Sequence, residues 1–195
     1  DYMERADLGF SKDQVLVLRA PNQWDSLYNR TLDAFKKELR QNNGVNYVVA
    51  TSDIPGNSPS LRAGGVRRLT DPVDLGFDCT PPLVDYNYVE MLELKILAGR
   101  SFSEELMDDD SKVMINEEAL KKLRILDPQN AVGEQITFWR DTFEIIGVVK
   151  NYHHESFRKE VLPMVFRFNP YYRGYISVRT NAIRPAEAIG MAEQA

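Results

Sequence analysis

Hydrophobic and polar positions alternate most regularly between residues 130 and 168. Ile136 and Phe138 alternate with Thr137 and Trp139, the two-residue period of a strand with unlike faces. After a polar break at Arg140-Asp141 comes the run TFEIIGVVK. It is rich in β-branched residues and apolar on both faces near its end, as in a buried strand. So short a break predicts a hairpin, although Arg-Asp is not the Asn-Gly or Asp-Gly pair that favours a tight turn. Residues 151–160 are polar and aromatic, and after Pro163 the run MVFRF alternates again as a third strand.

The first third of the chain reads strand–helix–strand. QVLVLR, from Gln14 to Arg19, is a strand closed by Pro21. Asp25 and Ser26 are available as N-caps for a helix whose apolar face is Tyr28, Leu32, Phe35 and Leu39. Lys36, Lys37 and Arg40 fall near its C-terminus, where the helix dipole favours cations, and Asn43-Gly44 supplies the stop. VNYVVAT, residues 45–51, is the next strand.

Residues 52–70 read as a loop, with Pro55, Gly56, Pro59 and Gly64-Gly65. Arg62, Arg67 and Arg68 make it locally basic, a contact for a partner or anion or simply a solvated segment. Residues 73–84 read as extended, Asp85 as the cap of a short helix over 86–92, and Leu94, Ile96 and Ala98 as extended again. Gly99, in the turn before Arg100, is expected at positive φ. Residues 101–110 form an acidic, solvated loop ending in Asp108-Asp109-Asp110. It lacks the Gly and Glu that a calcium-binding loop of helix–loop–helix type needs at fixed offsets. Val113–Ile115 is a short strand leading into a helix capped by Asn116. Glu117 and Glu118 lie in its first turn, with Ala119, Leu120 and Leu123 facing inwards. GYISVR, residues 174–179, is the last strand, and a helix begins near Pro185 with Ile189 and Ala192 inward.

Composition narrows the class. The net charge of −5, with no long basic run, argues against a nucleic-acid surface, which needs clustered Lys and Arg. No stretch approaches the ~20 apolar residues of a membrane helix. With no leader pattern and Asp1 rather than Met at its start, the chain reads as a soluble piece of a longer protein. Cys79 is the one cysteine, so no disulfide can form within the chain, and no neighbouring His marks it as reactive.

Candidate chemistry is sparse. His153-His154-Glu155 is the one cluster resembling metal ligands, but adjacent histidines diverge in either a strand or a helix. Glu104-Glu105 and Glu117-Glu118 sit where a loop and a helix start want carboxylates, and nothing marks them as an acid–base couple. Gly64-Gly65 lacks the following Lys-Ser/Thr of a phosphate loop. Trp139 and Tyr171-Tyr172 read either as exposed anchors or as core. The residues assign no catalytic, cofactor-binding or metal site.

The ordered segments LGFSKDQVLVL, VDYNYVEMLELKILAGRSFSEE, VMINEEALKKL, VGEQITF and FEIIGVVKNYHHESFRKEVLPMVF resemble the extracytoplasmic core domain of MacB/FtsX-type ABC transporter permeases, across nearly the whole chain. The resemblance implies a periplasmic or extracellular domain between two membrane helices of a bacterial permease. It implies no local catalysis and no cofactor. It also implies three kinds of partner: a second permease subunit, a cytoplasmic ATP-binding subunit, and a periplasmic adaptor or a substrate such as a peptide, antibiotic, lipid or lipoprotein. The alternatives are a stand-alone extracellular binding or adhesion module and an enzyme with an unrecognised site. The expected fold is α+β in two lobes. Residues 1–99 with 169–195 form the first, and residues 100–168 a smaller β-rich second.

Overall fold

A computed structural model of the chain describes residues 10–11, 14–21, 27–106, 108–155 and 159–181. The fold is α+β. Its strands are β1 (Val15–Arg19), β2 (Val45–Thr51), β3 (Ala63–Arg68), β4 (Phe77–Cys79), β5 (Leu83–Val84), β6 (Ile96–Gly99), β7 (Lys112–Asn116), β8 (Gln135–Phe138), β9 (Asp141–Val149), β10 (Val165–Phe168) and β11 (Tyr175–Thr180). Among the described residues three α-helices accompany them: α1 (Tyr28–Arg40), α2 (Tyr88–Leu92) and α3 (Glu117–Lys122). The strands form one mixed sheet in the order β1-β11-β2-β5-β10-β7-β9-β8-β3-β4, with β6 paired to β9 beside β8.

The last strand returns to the first part of the chain, antiparallel between β1 and β2. At the other end, β7 and β9 run parallel and β8 and β9 form the expected hairpin. The two residues between those strands are Trp139 and Arg140, one position earlier than the break in polarity suggests. Both lie in the left-handed region, φ 52° and 69°. Two positive φ values match the twist of paired strands, which is why such turns usually recruit Asn and Gly. The junction between the two ends is narrow. β5 has two residues; it meets β2 antiparallel at Thr51↔Val84 and β10 parallel at Arg167↔Leu83 and Phe168↔Val84.

Three apolar clusters follow from this topology. Tyr28, Leu32 and Leu39 of α1 pack on Val48, Ala50, Ile176 and Val178. A second cluster gathers around β7–β9 and α3, with Ile115, Leu123, Ile136 and Ile145 fully buried. The third crosses the junction beneath α2 and joins Val49 and Val84 to Met114, Ile146 and Phe166. Arg179 ties β11 to α2 there, donating to the Met91 carbonyl and pairing with Glu93 at 2.7 Å.

Several local expectations change. Residues 63–68, read as loop, are strand β3, paired with β4 and β8. Gly64 and Gly65 hide the alternation; Gly65 stands at φ +73°, and Gly76 lies close against it. A Cβ on Gly64 would meet Asp78 Oδ1 at 3.0 Å, and one on Gly76 would meet Gly65 Cα at 2.8 Å. Residues 63–68 (β3) pair with β4 and β8, and residues 96–99 (β6) pair with β9, although the chain-order reading places these segments with the first lobe. The second short helix starts at Tyr88 after a left-handed Asn87, so Asp85 does not cap it. Asn116 does cap α3, accepting from Ala119 N at 3.0 Å. The Asp25 and Ser26 caps and the helix near Pro185 lie outside the described residues.

Gly99 has φ +71°, and a Cβ there would stand 2.0 Å from the Ile146 carbonyl oxygen. Backbone strain and a clash with β9 act together. We expect Gly99→Ala to lower unfolding free energy by at least about 2 kcal/mol, read as a shifted urea midpoint. An unchanged midpoint would contradict the assigned geometry.

Candidate functional site

A cleft of about 980 Å³ opens on the α1 side of the junction, lined by residues of α1, the acidic 104–110 segment and the end of β10. α1 reaches it because its apolar stripe faces β2 and β11 and leaves Lys37 and Arg40 along one edge. Lys36 is itself on the stripe, four residues after Leu32, and is buried. Its Nζ donates to Asp85 Oδ2 at 2.6 Å and to the Pro170 carbonyl at 3.1 Å. It is therefore not a solvated helix-end cation. Asp85 also accepts from Ala50 N at 3.2 Å and Tyr86 N at 2.8 Å, so both carboxylate oxygens are engaged. Burial raises the Asp85 carboxyl above its ordinary value, and Lys36 and the two backbone donors act against that rise.

Across the cleft, Asp109 is buried rather than solvated. It accepts from Arg100 Nη2 at 3.0 Å and Ser103 N at 2.7 Å, which fixes the acidic segment to the stretch that leaves β6. Arg40 and Glu104 face each other at 3.9 Å. That pair is exposed and worth at most about 1 kcal/mol, too little to hold the walls together. Tyr171, at the rim, donates to Asp33 at 3.1 Å, and Lys36 Nζ lies 5.7 Å from its ring centroid.

The histidine pair separates as adjacent residues must. His154 is buried; its Nδ1 lies 3.5 Å from Tyr152 Oη, which is 3.1 Å from Tyr88 Oη. Its Nε2 meets no hydrogen-bond partner among the described residues. Burial depresses its pKa, and Asp53 and Glu155 pull the other way. The His154 carbonyl accepts from Gly56 N at 2.6 Å, so the 151–155 segment rests on the loop after β2. Among the described residues no group of three His, Cys, Asp or Glu is placed to hold a metal ion. Cys79 is buried, and its thiol is pushed up to about 12 by desolvation first and Asp78 second.

Glu117 and Glu118 grip Asn151. Glu117 Oε2 accepts from its N at 2.7 Å and Glu118 Oε1 from its Nδ2 at 2.9 Å. Glu104 and Glu105 are exposed. Arg68 forms a forked pair with Asp71, which also takes Arg124 at 2.7 Å, so part of the basic segment is internally neutralised. Trp139 is 40% exposed at the hairpin tip, with Arg167 beside it.

The overall fold is that of extracytoplasmic domains of ABC-type transporters. The periplasmic region of MacB from Actinobacillus actinomycetemcomitans superposes with TM-score 0.61 at 16% identity, over 100% of this chain and 87% of that one. The extracellular domain of the noncanonic ABC-type transporter YknZ from Gram-positive bacteria gives 0.56 at 16% identity, over 91% and 88%. A domain of a putative permease from Porphyromonas gingivalis gives 0.56 at 11% identity, over 92% and 82%. No curated protein matches the chain in sequence. The MacB-like periplasmic core domain family model matches residues 3–189, and the chain belongs to that family. It is the periplasmic core domain of a MacB-like ABC transporter permease, a family of transporter domains rather than of enzymes. No helix among the described residues is long and apolar enough to cross a membrane.

Two predictions follow from the buried groups. Lys36→Met leaves Asp85 buried without its cation and is expected to destabilise by about 3–5 kcal/mol near neutral pH, with Lys36→Met/Asp85→Leu recovering most of it. An acid whose folded pKa is raised weakens the fold as it ionises. The deficit of Lys36→Met should therefore shrink as pH falls from 8 towards 4 in denaturation titrations. His154 behaves oppositely. A base with a depressed folded pKa supplies stability above its ordinary 6.5 that is lost as pH falls through the lower folded value. His154→Gln should flatten that part of the stability–pH curve, and an unchanged slope would place the titration elsewhere.

Proposed function

We propose that this domain couples ATP hydrolysis in a cytoplasmic subunit to export, extraction or signalling by a change of packing between two lobes. The observation that carries the reading is the two-residue strand β5, which joins the sheet's two ends beside an open cleft. On one face the shared cluster beneath α2 seals the junction, while on the other the walls meet through an exposed ion pair. Motion on such a frame opens or closes the cleft about the sealed face, a hinge of few residues with little interaction to break. The division is residues 1–99 with 169–195 against 100–168, with residues 63–79 and 96–99 moving with the second lobe because their strands pair there. The partners in this reading are a second permease subunit, the ATP-binding subunit, and a periplasmic adaptor or cargo. No nucleic acid takes part.

The test is a lock across the cleft in the intact permease. Arg40→Cys/Glu104→Cys joined by a short bis-maleimide should abolish export or signalling and leave nucleotide binding intact, while each single variant, treated alike, keeps both. A bridged protein with full transport activity would defeat the reading.

A further inference from the structure

We infer that Arg167 is a carboxylate-reading residue for a peptide bound in the cleft. Arg167 lies on β10 and lines the cleft at its floor. Its guanidinium carbon is 4.5 Å from the Phe143 ring centroid, 5.5 Å from Trp139 and 6.0 Å from Phe138. These rings come from the β8–β9 hairpin, so the turn at Trp139-Arg140 builds the surface on which the guanidinium lies.

What the group lacks is an anion. Arg40, Arg68, Arg100 and Arg179 each reach a carboxylate within 4.0 Å. Arg167 forms no such pair and no side-chain hydrogen bond among the described residues. Asp141, the carboxylate that acts on it electrostatically, stands beyond ion-pair distance. Stacking uses the flat faces of a guanidinium and leaves its in-plane N–H donors unspent. A half-buried arginine of this kind is a fork awaiting two oxygens.

Three features choose the ligand. The planar fork matches a carboxylate in two parallel hydrogen bonds. Glu104 and Asp110 line the same cleft opposite Lys37 and Arg40, and Asp85 is neutralised by Lys36, so the lining carries no surplus of positive charge to draw a doubly charged phosphate. The space, about 980 Å³, is at the upper end for a small molecule and suits a short extended peptide. Trp139 lies outside that lining but is exposed, with its ring centroid 5.5 Å from the guanidinium carbon, where it covers an apolar neighbour of the bound carboxylate. The carboxylate is either a C-terminus or an Asp or Glu side chain, one chemistry from two sources. The inference does not depend on the coupling mechanism above.

The experiment is a titration of the 195-residue chain, in a Trp24→Phe background, followed by Trp139 fluorescence. The probes are acetyl-Ala-Phe with a free carboxylate, its C-terminal amide, acetyl-Asp-Phe-amide and phenyl phosphate. Saturable binding of a carboxylate peptide is expected, weakened about tenfold or more when the carboxylate is amidated and by Arg167→Met or Arg167→Lys. Denaturation midpoints identify any variant that fails to fold, and the folded one of the two then decides. Acetyl-Asp-Phe-amide binding as tightly as the free acid assigns a side-chain source; binding as weakly as the simple amide assigns the C-terminus. Absence of saturation, equal affinity for acid and both amides, tighter binding of phenyl phosphate, or unchanged binding by a folded Arg167 variant would each overturn the assignment.

Discussion

Leu83 and Val84 hold together a sheet that would otherwise be two. Their strand receives Ser52 N at the Leu83 carbonyl, at 2.9 Å, and Asn169 N at the Val84 carbonyl, at 2.8 Å. Among the described residues, strand pairing between the two ends runs through that seam alone, because β1, β2 and β11 are hydrogen-bonded to the remaining strands only by way of β5. The seam admits little variation. A Cβ on Gly174 would stand 2.3 Å from the Thr51 carbonyl oxygen, so the turn into β11 must pass close against β2. Lys36 and Asp85 sit at the same place and tether α1 to the residue that follows β5. A buried pair is not a strong source of stability, since desolvation offsets much of its attraction. Its four hydrogen bonds fix position instead, with both partners defined on one side of the cleft.

Beyond the cleft, the part of the sheet around β7 and β9 is fixed by different means. Asn116 caps α3 and also accepts from Met164 N at 2.9 Å while donating to the Leu162 carbonyl at 2.8 Å. Asn151 is held between Glu117 and Glu118. Both ends of the 151–164 excursion are thereby anchored at one helix start. Each side carries its own buried hydrogen bonds, and the exposed Arg40–Glu104 contact between them is weak. This contrast is why the reading proposed here puts change at the seam rather than inside either lobe.

Much of the fold was legible in the sequence. The alternation of residues 136–138 and 142–149, the helical stripe of Tyr28, Leu32 and Leu39, the Asn116 cap and the positive φ of Gly99 all follow from local rules. Strand β3 was hidden because its Gly64-Gly65 carries no side chains to alternate. The site was less legible. Lys36 falls on the apolar stripe, which is a signal for a buried cation, but its partner lies 49 residues away. Arg167 reads simply as the polar position between Phe166 and Phe168; only the fold brings Phe138, Trp139 and Phe143 beneath it. The histidine pair, the nearest thing to a metal motif, became one buried packing residue and one half-buried neighbour.

The central claim concerns movement about the seam, and distance measurement in the working transporter addresses it directly. Spin labels at Lys37 and Glu105 report across the cleft, and labels at Lys37 and Asn46 report within the first lobe. Pulsed electron resonance on the intact permease, nucleotide-free and trapped with ATP, should give a cross-cleft distance that shifts by several ångström while the within-lobe distance holds. A cross-cleft distribution identical in the two nucleotide states would contradict the account.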